Sequence, residues 1–130
     1  MLFDEILGQD HLKQMIQNSL EKNGFPQSSI IVDKDEYGGL LFALAISERL
    51  LFDGRQKSGD LLNHPDLHFV FPLFSSKDDA VELNKEWLGY IQNSYFANVL
   101  GWKLASNSSG SQASIRSKEV EEMHRSAGLK

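Results

Sequence analysis

The sequence contains no cysteine. That removes disulfides, thiol nucleophiles and the common structural zinc sites together, and it suits a reducing compartment. There is no surplus of positive charge either. Thirteen Lys and Arg stand against 18 Asp and Glu, a net charge of −5, which argues against a stand-alone nucleic-acid binder with a cation-rich face. A subunit whose partners hold the nucleic acid is still compatible. No apolar stretch approaches the ~20 residues that span a bilayer. The opening "MLFDEILGQD" has acidic residues where a signal peptide has basic ones, so the expectation is a cytoplasmic protein with no membrane partner. What is present is 130 residues, 41% apolar and 24% charged, enough for one soluble domain with a core.

Hydrophobic spacing divides the chain into elements. "GQDHLKQMIQNSLEKNG" predicts a helix capped by Asp10, with Leu12, Met15, Ile16 and Leu20 as its apolar stripe and Gly24 ending it. "SSIIV" (28–32) predicts a short buried strand from its β-branched run. A second helix from about Gly39 to Phe52 is apolar almost all round, which calls for burial on more than one side. "DGRQKSGD" (53–60) is a polar loop. "DLHFVFP" (66–72) predicts a second strand closed by Pro72. A third helix from Ser76 carries Val81, Leu83, Trp87, Leu88 and Ile91, and "YFANVLGWKLA" a shorter one. "SNSSGSQ" (106–112) has loop composition. "ASIRSKEVEEMHRSAGLK" predicts an extended piece and a helix capped by Ser117 that ends near Gly128. Strand, helix, strand, helix is the alternation of an α/β fold, a short parallel sheet flanked by helices.

"IIVDKDEYGGLLFALA" (31–46) has the outline of a phosphate loop: a strand, a polar turn with glycines, then a helix. Such a loop needs glycines for its backbone N–H cradle, a lysine to balance phosphate charge and a hydroxyl for Mg²⁺. With Gly38 on the second glycine, Asp33 falls on the first, Gly39 on the lysine and Leu40 on the hydroxyl residue. Asp33, Asp35 and Glu36 set negative charge where a polyphosphate would lie, with Lys34 opposing them. The positions favour a degenerate loop kept for its shape. A receiver-like phosphorelay domain also has an acidic strand end. It needs an acceptor aspartate on the next strand, and Phe71 stands there.

The flanking segments carry a family resemblance. "FDEILGQDHL" resembles the opening of clamp-loader AAA+ subunits. "NHPDLHFVFP" and "SIRSKEVEEMHRSAGL" resemble the second-strand segment and following helix of delta-prime subunits of the bacterial DNA polymerase III clamp loader. "FPQSSIIV" sits where that family has Pro-His-Ala before its strand, with Gln27 and Ser28 in the place of His and Ala. The resemblance implies a partial RecA/AAA+-like P-loop core over residues 1–130, stopping before the second acidic nucleotide motif. It places a helical insertion at about 75–112, bearing Trp87 and Trp102.

The role so implied is that of a non-hydrolysing structural subunit in DNA replication. Its partners would be the other clamp-loader subunits and, through them, the sliding clamp and primer-template DNA. No nucleotide cofactor and no catalytic residue are expected. Many members carry a cysteine zinc module after the loop helix; "DGRQKSGDLLNHPD" has none, so no metal is expected. The resemblance also implies strands beyond residue 130 that cover Leu44 or Val70, and their lack would favour self-association. The alternative in the same family is an ATP-binding motor subunit with an atypical loop.

Other residues are weighed in the same way. Gly8 and Gln9 are either a relic of base recognition or the lead-in to the first helix, and the second is favoured. "HPD" (64–66) also occurs in J-domain cochaperones, but here it runs into an apolar segment. In the structural reading Asp66 bonds local backbone N–H groups. His11, His64, His68 and His124 lack metal-ligand spacing, and no serine has a nucleophile-elbow context.

Overall fold

The computed structural model describes residues 2–34, 38–52, 60–75, 77–93, 99–106 and 112–128. The expected turn residues Asp35 and Glu36, most of the polar loop 53–60 and most of the loop 106–112 lie outside the described residues. The chain forms two compact units, Met1–Leu61 and Leu62–Lys130.

In the first unit, α1 (Leu2–Glu5), α2 (Asp10–Glu21) and α3 (Gly39–Phe52) form one cluster. Leu41, Phe42, Ala45 and Ile46 recur at helical spacing and bury the same face of α3 against Phe3 and Ile6. Leu12, Ile16 and Leu20 of α2 pack on that cluster at i, i+4 and i+8. Met15 lies off this line and is exposed, so the stripe is narrower than expected. Glu48 is buried and accepts a hydrogen bond from the Leu2 N–H at 2.7 Å. This ties the start of α1 to the core helix, whose bounds match the expectation. Asp10 is the first residue of α2 rather than its cap. Gln9 holds the cap position in left-handed backbone, φ 56.

The second unit holds a 3-10 turn reaching Asn63, then α4 (Ala80–Gln92), α5 (Val99–Ala105) and α6 (Ser117–Ser126). α4 starts four residues later than Ser76, where Asp79 caps it by accepting from the Val81 N–H at 2.8 Å. Arg116, not Ser117, holds the cap position of α6. The core is aromatic. Trp87 stacks on Phe71 at 5.1 Å between ring centroids and meets Trp102 edge-on at 5.1 Å. Phe71 also meets Trp102 edge-on at 5.4 Å, and such pairs add to simple area burial. The Trp102 indole N–H donates to the Pro72 carbonyl at 2.7 Å. The Trp87 indole N–H is buried with no partner, so this ring is held by packing alone at a desolvation cost of about 1–3 kcal/mol.

A polar clasp closes the unit. Leu73 and Ser114 form an antiparallel bridge with mutual N–H to carbonyl bonds of 2.9 and 2.8 Å. Arg116 binds the Asp78 carbonyl at 2.9 Å and both carboxylate oxygens of buried Glu119. Asp78 in turn accepts from the Phe74 and Ser75 N–H groups at 3.2 and 3.1 Å.

The expected parallel sheet is not present among the described residues. Among the described residues the only strand-type pairing is the Leu73–Ser114 bridge. Residues 28–32 have strand composition but no neighbouring strand, and Ile30 and Val32 are 91% and 78% exposed. Residues 66–72 supply Phe69 and Phe71 to the aromatic core without entering a ladder. β-propensity measures fit to a paired, half-buried surface; where no partner strand arrives, it leaves an irregular segment.

Two outcomes test this packing. Trp102→Ala removes a side chain that is 1% exposed and should cost about 3–5 kcal/mol of unfolding free energy. Trp102→Phe keeps a ring but strands the Pro72 carbonyl, at about 1–3 kcal/mol; urea titration followed by circular dichroism orders the two. The Arg116 hydrogen bonds, opposed by burial, hold the Glu119 carboxyl below its usual value of 4.5. A depressed carboxylate stabilises the fold above its unfolded pKa, and this is lost as pH falls through the folded value. Urea midpoints of the native chain and Glu119→Gln should therefore lie apart at neutral pH and converge on acidification.

Candidate functional site

The expected phosphate-loop positions are brought together, but around a carboxylate of the chain itself. Asp33 Oδ2 accepts from the Gly38 N–H at 3.0 Å and from the Gly39 N–H at 2.6 Å. These are N–H groups at the start of α3, which have no acceptor within the helix. A negative side chain is favoured there by the helix dipole, as a bound phosphate would be. The Gly38 carbonyl accepts from the Phe42 N–H at 3.0 Å and begins the helical ladder.

Both glycines are needed, for different reasons. Gly38 has φ 138, a conformation that L side chains rarely adopt. A Cβ on Gly39 would lie 2.9 Å from the Asp33 Cβ and 3.0 Å from Oδ2. Any side chain there, a lysine included, would force Asp33 to shift. Leu40, at the hydroxyl position, is half-buried and apolar. Among the described residues the start of α3 offers its N–H groups to Asp33, with a glycine at the lysine position and a leucine at the hydroxyl position.

Gly8 and Gln9 are consecutive left-handed residues, φ 70 and 56, and turn the chain from α1 into α2. The Gln9 carbonyl accepts from the Lys13 N–H at 2.9 Å, while the Lys13 ammonium bonds the Ile6 carbonyl at 2.9 Å. In this arrangement the two residues form a turn that leads into α2.

In the second unit, Phe71 is 3% exposed and stacked on Trp87, so the position where a receiver would carry its phosphoacceptor is a packing site. At "HPD" the roles differ from expectation. The His64 ring Nδ1 accepts from the Asp66 N–H at 3.1 Å, so the histidine, not Asp66, organises the turn. Among the described residues no three His, Asp or Glu side chains gather as a metal site would. No described helix is long and apolar enough to cross a membrane. The second unit also holds a groove of about 470 Å³ between residues 67–71, α4 and α6, with Val70, Val81, Leu88 and Met123 among its apolar lining. Sequence reading did not anticipate it. The signal available was the apolar excess of 66–72, which was assigned to a strand instead.

No protein-family model, curated protein or solved structure matches this chain.

The Asp33 arrangement has a direct consequence. Asp33→Ala removes the acceptor of two helix-start N–H groups and should destabilise the first unit by about 0.5–2 kcal/mol, the range of lost helix caps. Gly39→Ala should be damaging as well, and adding Asp33→Ala should relieve only the carboxylate part of the clash, because alanine keeps the Cβ that lies 2.9 Å away. Thermal melts of the three variants give the comparison.

Proposed function

We propose that this chain is a non-hydrolysing subunit of a clamp-loader-type assembly, one that positions neighbouring subunits without turning over nucleotide itself. The observation that carries the non-hydrolysing part is the Asp33 carboxylate on the Gly38 and Gly39 N–H groups. An incoming polyphosphate has to displace a tethered anion and then sit beside it, with no lysine at Gly39 to offset the repulsion. The clamp-loader part is supported by the segments "FDEILGQDHL", "NHPDLHFVFP" and "SIRSKEVEEMHRSAGL", in the order in which delta-prime subunits carry similar ones. The support lies in residues and not in the fold, since the family's sheet is not among the described residues.

In this reading the chain works in the cytoplasm beside ATPase subunits of the loader and, through them, near the sliding clamp and primer-template DNA. Its acidic balance of 18 to 13 suits a subunit that leaves the DNA backbone to its partners. No residue of this chain is assigned a catalytic role.

Calorimetric titration of Mg-ATP into the folded chain should give no binding heat at millimolar nucleotide, and mixing with the loader ATPase subunits and clamp of the same organism should give co-elution in gel filtration. Micromolar ATP binding would replace the proposal with the motor alternative. Absence of co-elution would remove the clamp-loader assignment.

A further inference from the structure

Helix α6 is held to its unit differently from its neighbours. Glu119 is buried and Met123 half-buried, while the rest of the helix is open to solvent. α4, by contrast, buries Trp87 and Ile91, and Trp87 stacks on Phe71 and meets Trp102. Hydrophobic cohesion scales with the apolar area removed from water, so α6 draws little of it. Its hold is polar instead. The Arg116 guanidinium, at the cap position of α6, engages Glu119 in the first turn and reaches out to the Asp78 carbonyl at 2.9 Å. Just before it, Ser114 is pinned to Leu73 by mutual bonds of 2.9 and 2.8 Å. Ile115, 52% exposed, is the residue between the pinned bridge and the clasp. Lys118, Glu122, Met123 and Ser126 of α6 also line the groove of the second unit, together with residues 67–71 and α4.

We propose that α6 is a hinged wall of this groove. It leaves as a unit by turning about Ile115, with the Leu73–Ser114 bridge as the fixed side and the Arg116–Asp78 bond as the latch, while α4 and α5 stay packed. Opening of this sub-global kind belongs to elements with few buried apolar contacts. Undocking returns the Glu119 carboxylate and the Arg116 guanidinium to water, which offsets the hydrogen bonds given up. A free helix of 10 residues is marginal in water, so the undocked α6 also loses its backbone hydrogen bonds to solvent. The groove is bounded by α6 only while the clasp is made. This inference is independent of the clamp-loader reading, because it concerns neither Asp33 nor any partner subunit.

Native-state hydrogen exchange of the full chain, followed residue by residue by NMR in increasing low urea, tests this. Amides of residues 121–126 should exchange through an opening with a shallow urea dependence, because little surface is exposed. The α4 amides near Trp87 and Ile91 should show the steep dependence of global unfolding. Ile91→Val, a conservative change in α4, should lower α4 protection by about twofold to tenfold and leave that of α6 unchanged. Arg116→Ala breaks the latch and should lower α6 protection by about tenfold or more. A single urea slope for both helices overturns the proposal, and so does an equal loss in both on Ile91→Val. Protection of α6 that Arg116→Ala leaves unchanged, or that is absent in the native chain, would mean that the clasp is no latch and overturns it as well. If Arg116→Ala fails to fold, the urea slopes and Ile91→Val still decide.

Discussion

The start of α3 is an electrostatic constraint on which the first unit depends. A helix start leaves N–H groups without intrahelical acceptors, and at Gly38 and Gly39 these meet the Asp33 carboxylate. The helix so begun carries the Leu41, Phe42, Ala45 and Ile46 face on which Phe3, Ile6 and the α2 stripe pack. At the same helix the buried Glu48 carboxylate receives the Leu2 N–H. Acidic groups therefore serve the unit twice by satisfying backbone donors. A phosphate at the α3 start would have to perform the structural task that Asp33 already performs.

The second unit relies on a different balance. Aromatic burial supplies its cohesion through Phe71, Trp87 and Trp102, and it tolerates an unpartnered indole N–H on Trp87. Burying a large ring outweighs one lost hydrogen bond, since the first is worth several kcal/mol and the second about 1–3. The Arg116 clasp adds direction to that cohesion. It fixes α6 to Asp78 through Glu119 and the Asp78 carbonyl, and it favours the ionised form of buried Glu119.

Helix α3 was legible from its apolar run, and α4 and α6 from local spacing, because helical hydrogen bonds and i, i+4 contacts are written within a few residues. Their starts were less so. Asp10 and Ser117 have the chemistry of caps, yet Gln9 and Arg116 hold those positions, a shift of one residue that composition does not resolve. The strands failed for a physical reason. A run such as Ser28–Val32 states that a residue set can pair, while pairing itself depends on a distant partner arriving in register. The site shows the same division. The identities of Asp33, Gly38, Gly39 and Leu40 are in the sequence, but the hydrogen bonds from Gly38 and Gly39 to Asp33 depend on a backbone geometry that no spacing rule contains.

The Asp33 fold-back fills the start of α3 with an anion of the chain itself. A loop that has merely lost its lysine still offers N–H donors to an anion and would keep weak affinity. At Gly38 and Gly39 the donors face a carboxylate whose tether gives it a high effective concentration. A lysine at Gly39 would also force Asp33 to move, because a Cβ there would lie 2.9 Å from the Asp33 Cβ. Nucleotide binding of the phosphate-loop kind would call for changes at both positions, one at Asp33 to free the N–H groups and one at Gly39 to supply a lysine. A helix start built in this way holds the first unit together with the very N–H groups that a phosphate would otherwise engage.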